Sequence, residues 1–389
     1  MHPPSSRPLW AMVNGFAALG AVGSVLVARQ PEFELRWALH AGTWGWVLFA
    51  AGLGGVMAYP VNRWVLTHWG SRTMLRRLGT LGALVTALIP WLPGLPGLLA
   101  GMFVQAVLYN GVGVAVNHQA AQWELHRGVR MMGRLHATFY IGSMASAFAS
   151  GVIATTGMSL EAHMALVALL VGVLHRHAAG ALPRAPLEDA ATTVRPPVDP
   201  AWVSLGIVTA CHAVVESGIM GWSVIYLHQS LQADAGVAGL GLALFAGAMA
   251  LGRFATDALV SWLGPARVVV SGALACALAL LGAAAIGSLA VALGALIVSG
   301  LGLAAIAPVL FSAAGRIGGE ALARVFALGA VGGLFGPLLL AQVATRLSLA
   351  AVIAALAVVA VLMAWQARVL RKTPGSTPAT VESSRAGAA

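Results

Sequence analysis

Apolar runs of about 17–25 residues alternate with short polar stretches along the whole chain, the length an α-helix needs to cross ~30 Å of hydrocarbon. In the first half they are Leu9–Ala28, Ala41–Pro60, Leu78–Leu92, Leu95–His118, Leu135–Gly157 and Leu160–Leu174. In the second they are Ala201–Leu227, Val237–Leu259, Val268–Ile286, Leu289–Ser312, Ala321–Thr345 and Leu347–Val369. Between the halves, Pro183, Pro186, Pro196, Pro197 and Pro200 stand among mixed charges, so that stretch reads as a loop. The pattern predicts an all-α membrane protein of about 12 transmembrane helices in two six-helix bundles. Residues 1–177 form the first bundle, 178–200 a cytoplasmic linker, 201–370 the second bundle and 371–389 a disordered tail.

Composition agrees with lipid as the solvent. Of 389 residues, 59% are hydrophobic and 9% charged, against roughly 25% charged in a soluble domain. The net charge of +10 does not point to nucleic acid, because the basic residues stand singly or in short groups between apolar runs. Cys211 and Cys276 both lie inside apolar runs and read as packing residues rather than a disulfide. The polar start before Leu9 lacks a clear cleavage site, so the first run reads as a retained helix.

The arginines orient the chain. One set of loops carries Arg63, Arg72, Arg76, Arg77, Arg127, Arg130, Arg134, Arg267, Arg316 and Arg324, whereas the opposite loops hold Arg29, Arg36 and Arg346. The positive-inside rule then puts both termini in the cytoplasm. Abundant Ala, Gly and Arg suggest a GC-rich bacterial source, so the expected location is the bacterial inner membrane.

The loop from Pro60 to Arg77 places Arg63, Gly70 and Arg72 where a glycine permits a tight turn and arginines cap helix ends. Its counterpart in the second half runs from Gly252 and Arg253 through Asp257 to Gly264 and Arg267. Arg253 and Asp257 are spaced to pair along one helix face, as a gating latch or as an ordinary helix-end ion pair. The stretch Asn110-Gly-Val-Gly-Val-Ala-Val-Asn117 leads to Glu124, Arg127, Arg134, His136 and Tyr140. Farther on stand Glu216-Ser-Gly-Ile-Met-Gly-Trp222-Ser-Val-Ile-Tyr226, then Ala307-Pro308 and Gly329 to Pro337.

Together these segments resemble the major facilitator superfamily, in particular its YbjJ-type branch, distantly related to the fucose permease. The resemblance covers nearly the whole chain and implies the major facilitator fold and a secondary transporter. It also implies that helices 1 and 4 line the cavity, which turns Asn14, Gln105, Tyr109, Asn110 and Asn117 inward. The chain departs from the pattern where Gly113 and Gly221 replace the branch's acids and where Thr67 replaces the aspartate of the first cytoplasmic signature.

Glu216 is the one carboxylate well inside a span, about fifteen residues or ~23 Å along helix 7. His212 precedes it by one turn on the same face. The pair can exchange a proton, hydrogen-bond a substrate, or form a buried structural pair. Trp222 and Tyr226 continue that helix and join the candidate substrate cavity. Glu124, among Arg127, Arg130 and Arg134, reads as a latch between halves, and His136 with Tyr140 as an inner closure. For the neutral polar residues, interhelical hydrogen bonding is the alternative to substrate contact. The mostly neutral cavity set argues against strongly charged substrates.

The expected function is secondary active transport of a small, neutral or weakly polar solute by alternating access, with proton coupling through Glu216 and His212 as an option. Drug or metabolite efflux and a non-transporting membrane sensor are the alternatives. No H-E-x-x-H or other metal-ligand cluster appears, and His175 and His177 beside Arg176 read as an interface anchor, so neither enzyme chemistry, a metal nor a cofactor is expected. The expected partners are the substrate, the bilayer and protons, with the protein a monomer.

Overall fold

The computed structural model describes residues 7–128, 131–183 and 199–371. Arg130, the linker prolines Pro186, Pro196 and Pro197, and the tail from residue 372 lie outside the described residues.

Among the described residues, eleven helices are long and apolar enough to cross a membrane. The chain runs through α1 (Arg7–Ala28), a short α2 (Gln30–Trp37), α3 (Ala41–Leu88), α4 (Gly94–Arg127), α5 (Met132–Thr155) and α6 (Leu160–Ala181). The second half holds α7 (Ala201–Ile225), α8 (Ala235–Leu263), α9 (Pro265–Ile286), α10 (Leu289–Ala304), α11 (Ile306–Ile317), α12 (Gly319–Arg346) and α13 (Leu349–Gln366). At 1.5 Å per residue, the 48 residues of α3 extend ~72 Å, more than twice the hydrocarbon thickness. The chain reverses inside it at Gly70, whose φ of 70° and ψ of 159° are non-helical. A left-handed φ suits glycine, which has no Cβ to clash. With that reversal the described residues make twelve crossings.

Several expected boundaries move. The stretch 60–77 is helical on both sides of Gly70 rather than an open loop, and α6 continues past Leu174 into the residues expected to begin the linker. The expected tenth span is broken at Ala305 into α10 and α11, just ahead of Pro308. A five-residue π-helical turn, Tyr226–Ser230, extends α7. Trp44 is buried in a core of Phe33, Val47 and Met164. His175, expected at an interface, is fully buried with its ring 5.9 Å from that of Tyr109, whereas His177 is exposed.

The crossings of each half pack mainly on one another, and the halves meet along α5 with α8 and along α3 with α12. At the first seam Gly151 backs onto Gly236, where a Cβ would stand 2.7 Å from the Gly236 carbonyl oxygen. At the second, Gly45 lies against Pro337 and Ala341. Both contacts fall towards the α2 end of the molecule, opposite Gly70. Small residues permit this approach in a bilayer, where packing rather than water exclusion joins helices.

Candidate transport site

Glu216 lies on the face of α7 that meets the first half. His212, one turn earlier, places Nε2 3.1 Å from Glu216 Oε2, as their spacing predicts. The other carboxylate oxygen, Oε1, accepts a hydrogen bond from the Tyr140 hydroxyl of α5, in the opposite half. Tyr140 in turn accepts from Nη2 of Arg253 on α8 at 3.4 Å, and the guanidinium lies 5.3 Å from the centre of the tyrosine ring. One hydroxyl thus donates to a carboxylate and accepts from a guanidinium, linking three helices and both halves. His136, one turn before Tyr140, sits within electrostatic range of Glu216 and Arg253 and packs its ring 5.1 Å from that of Phe16 on α1.

Arg253 is therefore turned away from its expected partner. Asp257 is exposed and makes no contact with it. A free carboxylate at the helix end keeps its hydration, whereas Arg253, deeper in the bilayer, needs a protein partner.

The candidate neutral residues go elsewhere. Gln105 is buried and donates to the Thr86 hydroxyl of α3 at 2.8 Å, and Thr86 donates to the Gly82 carbonyl at 2.9 Å. Tyr109 packs with His175 inside the first half. Asn110 accepts from Asn62 Nδ2 at 2.8 Å, and Asn117 donates to its own helix at the Gly113 carbonyl, 2.9 Å away. Trp222 is fully buried in the second half, and the Tyr226 hydroxyl donates to the Ala283 carbonyl of α9 at 2.8 Å. Of the expected cavity set, Asn14 is half-buried with no hydrogen-bond partner among the described residues, and only His212 and Glu216 join the cross-half cluster. The two places where the branch carries acids are apolar contacts here: Gly221 faces Leu48 across the seam and Gly113 faces Leu19.

The expected latch residues also separate. The Glu124 carboxylate accepts from the backbone N–H groups of Met131 and Met132, the latter at 2.7 Å, and so caps α5 rather than joining the halves. Arg127 is exposed over the Trp123 ring at 4.4 Å. Arg63 and Arg134 are exposed and Arg72 is half-buried, none with an ion-pair partner among the described residues. Thr67 and His68 bond back to the Trp64 carbonyl at 2.8 Å each.

The α2 end holds a second cross-half contact that the sequence pattern does not announce. Pro31 opens this helix, Ala38 closes it in the left-handed region, and Phe33 anchors it in the core. Glu34 accepts from Gln30 at 3.0 Å and, across the seam, from Gln229 in the π-helical turn at 2.9 Å. Burial raises the Glu34 carboxyl above its ordinary range, against the hydrogen bonds from Gln30 and Gln229. Alongside, Arg29 pairs with Glu32 at 2.7 Å and reaches His163 at 3.0 Å and the Met158 carbonyl at 3.1 Å.

The profile of the Major Facilitator Superfamily matches residues 10–318, most of the chain. The chain belongs to this superfamily. It is 27% identical over 350 residues to an uncharacterised transporter of the superfamily from Yersinia pestis, covering 88% of this chain and 90% of that one. It is 27% identical over 355 residues to an uncharacterised transporter from Sinorhizobium fredii, covering 87% and 92%. Among solved structures, the nucleoside transporter NupG superposes with a TM-score of 0.74 at 13% identity, over 95% of this chain and all (100%) of that one. A bacterial homologue of the human lysosomal transporter Spinster, in an inward-facing and occupied conformation, superposes with a TM-score of 0.71 at 14% identity, over 95% and 98%. These likenesses establish the facilitator fold and a multi-pass membrane transporter.

Proposed function

We propose that this protein is a secondary active transporter that moves a small solute by alternating access and couples it to a proton carried by Glu216 and His212. The reading rests on one observation: the one carboxylate deep in a span among the described residues is tied across the seam between the halves, to Tyr140. A proton on Glu216 removes the charge that holds this tie and changes how strongly the halves adhere at mid-depth. The groups facing Glu216 are His212 on its own helix, Tyr140 and His136 on α5, and Arg253 on α8. The tight seams towards the α2 end support a conformer closed on that side.

The excess of unpaired arginines at the Gly70 end supports cytoplasmic termini, and at the α2 end Arg29 and Arg36 are paired with Glu32 and Glu161. We place the protein in the bacterial inner membrane as a monomer, and in the YbjJ-type, fucose-permease-like branch on the motifs of helices 4, 5 and 7. Gln105 and Tyr226, two of the residues behind the expectation of a neutral solute, make their hydrogen bonds inside their own halves.

The test is reconstitution into proteoliposomes under an imposed pH gradient, with the lumenal pH followed as solutes are added. Solute-dependent proton movement that disappears in Glu216→Gln supports the reading. Solute movement whose pH dependence is unchanged in that variant overturns the coupling role, and a chain that moves no solute in either direction is a membrane sensor rather than a carrier.

A further inference from the structure

The donors and acceptors of the Glu216 cluster are unequally used. Each carboxylate oxygen of Glu216 has a neighbour: Oε1 accepts from Tyr140, and Oε2 lies 3.1 Å from Nε2 of His212. Arg253 carries five N–H donors and no acceptor. Only Nη2 is engaged, in a long 3.4 Å bond to Tyr140, and Nε is buried without a partner. No carboxylate among the described residues lies within ion-pairing distance of Arg253. A guanidinium at membrane depth with most of its fork open is costly unless a ligand completes it, and its planar fork fits an oxyanion in bidentate fashion. The open donors of Arg253 call for an acceptor, whereas the carboxylate of Glu216 is already engaged on both oxygens by Tyr140 and His212.

We propose that Arg253, with Tyr140 and His136 beside it, binds the oxyanion of a small solute, a carboxylate or a phosphate. This rests on the reading of the cluster as the transport site and supplies the chemical class of its substrate. The charges also explain why a proton is needed. The charges of Arg253 and Glu216 balance each other, so an incoming monoanion adds one uncompensated negative charge in the bilayer. One proton taken up by His212 or Glu216 restores neutrality. A monoanion and its proton therefore enter as a neutral pair, and each further negative charge on the solute requires a further proton for no net charge to cross.

The test uses the full-length purified protein in detergent and needs no transport. Acetate, succinate, citrate and benzoate are each compared with their neutral amides, and inorganic phosphate is tested beside them, by thermal unfolding and by calorimetric titration. At least one acid or phosphate is expected to raise Tm saturably where its neutral counterpart does not. The responding arm distinguishes a carboxylate from a phosphate ligand. Arg253→Gln is expected to weaken that binding roughly 10- to 100-fold, with Arg253→Lys in between. Titration in buffers of different ionisation enthalpy is expected to show uptake of about one proton with each acetate or benzoate monoanion in the wild type and less in Glu216→Gln. Should Arg253→Gln fail to fold, Tyr140→Phe, which keeps the ring and removes the hydroxyl, must weaken anion binding. No acid or phosphate outperforming its neutral counterpart, or a shift that survives unchanged in the arginine variants, overturns the proposal. Binding without transport would sink the carrier reading and leave the anion site intact, whereas transport confined to neutral solutes would do the reverse.

Discussion

Gln105 and Arg253 are both polar side chains at membrane depth, and the molecule uses them differently. Gln105 belongs to a closed chain inside the first half, passing from Gln105 through Thr86 to the Gly82 carbonyl. Asn62 with Asn110, and Gln119 with Ser71 at 2.6 Å, are similar pairs between helices of the same half. Arg253 belongs to a chain that crosses between halves and stops with donors unspent. Neutral, saturated pairs hold helices that travel together, whereas charged and unsaturated ones sit where helices must separate and rejoin.

The largest effect that would test this contrast is expected at Glu216. Glu216→Gln should lower gradient-driven transport by about 5- to 150-fold, the usual span of a coupling energy, and flatten its pH dependence while insertion and Tm change little. A pH profile parallel to the wild type would put Glu216 among the structural pairs. Next is the seam itself. Gly151→Leu drives a side chain into the Gly236 backbone and should oppose closure at the α2 end by ~1–3 kcal/mol, read as faster labelling of a cysteine placed at Gln229. Unchanged labelling would mean that this contact does not form during closure.

A smaller effect is expected at Glu34. Because burial raises its carboxyl above the ordinary 4.5, the closed seam holds the proton more tightly than an open, hydrated one. The seal is therefore strongest below about pH 4.5 and loses that contribution as pH rises from there towards the raised value. Neighbouring Arg29, Glu32 and His228 add to the field at this site. Protection factors of the α2 amides, with the intrinsic pH dependence of exchange divided out, should rise on acidification, and Glu34→Gln should hold them high at both pH values. Equal pH dependence in that variant would move the effect to a neighbour. The smallest effect is expected at Gln105, where replacement by Leu should cost only ~0.6 kcal/mol and leave KM for the solute unchanged. A raised KM would return Gln105 to the cavity.

The spans and the pairing of His212 with Glu216 were legible because both depend on periodicity along one helix. The tie from Tyr140 to Glu216 was not, since it joins residues 76 apart in sequence and nothing in either helix specifies which neighbour its polar face meets. The same gap explains Arg253, whose spacing to Asp257 was correct for a pair that the depth of the bilayer overrules. Helix α2 escaped notice because eight residues with two glutamates and an arginine carry no apolar stripe of membrane length. Glu124 was read by its charged neighbours, while its carboxylate instead caps the next helix.

That cap has a practical consequence. By accepting from the first N–H groups of α5, Glu124 ties the end of α4 to the start of α5 at the Gly70 end, and α5 carries both Tyr140 and Gly151. A rearrangement at the buried tyrosine must then drag a water-exposed corner with it. A fluorophore attached at Arg127 would act as an external pointer to a proton event in the middle of the membrane.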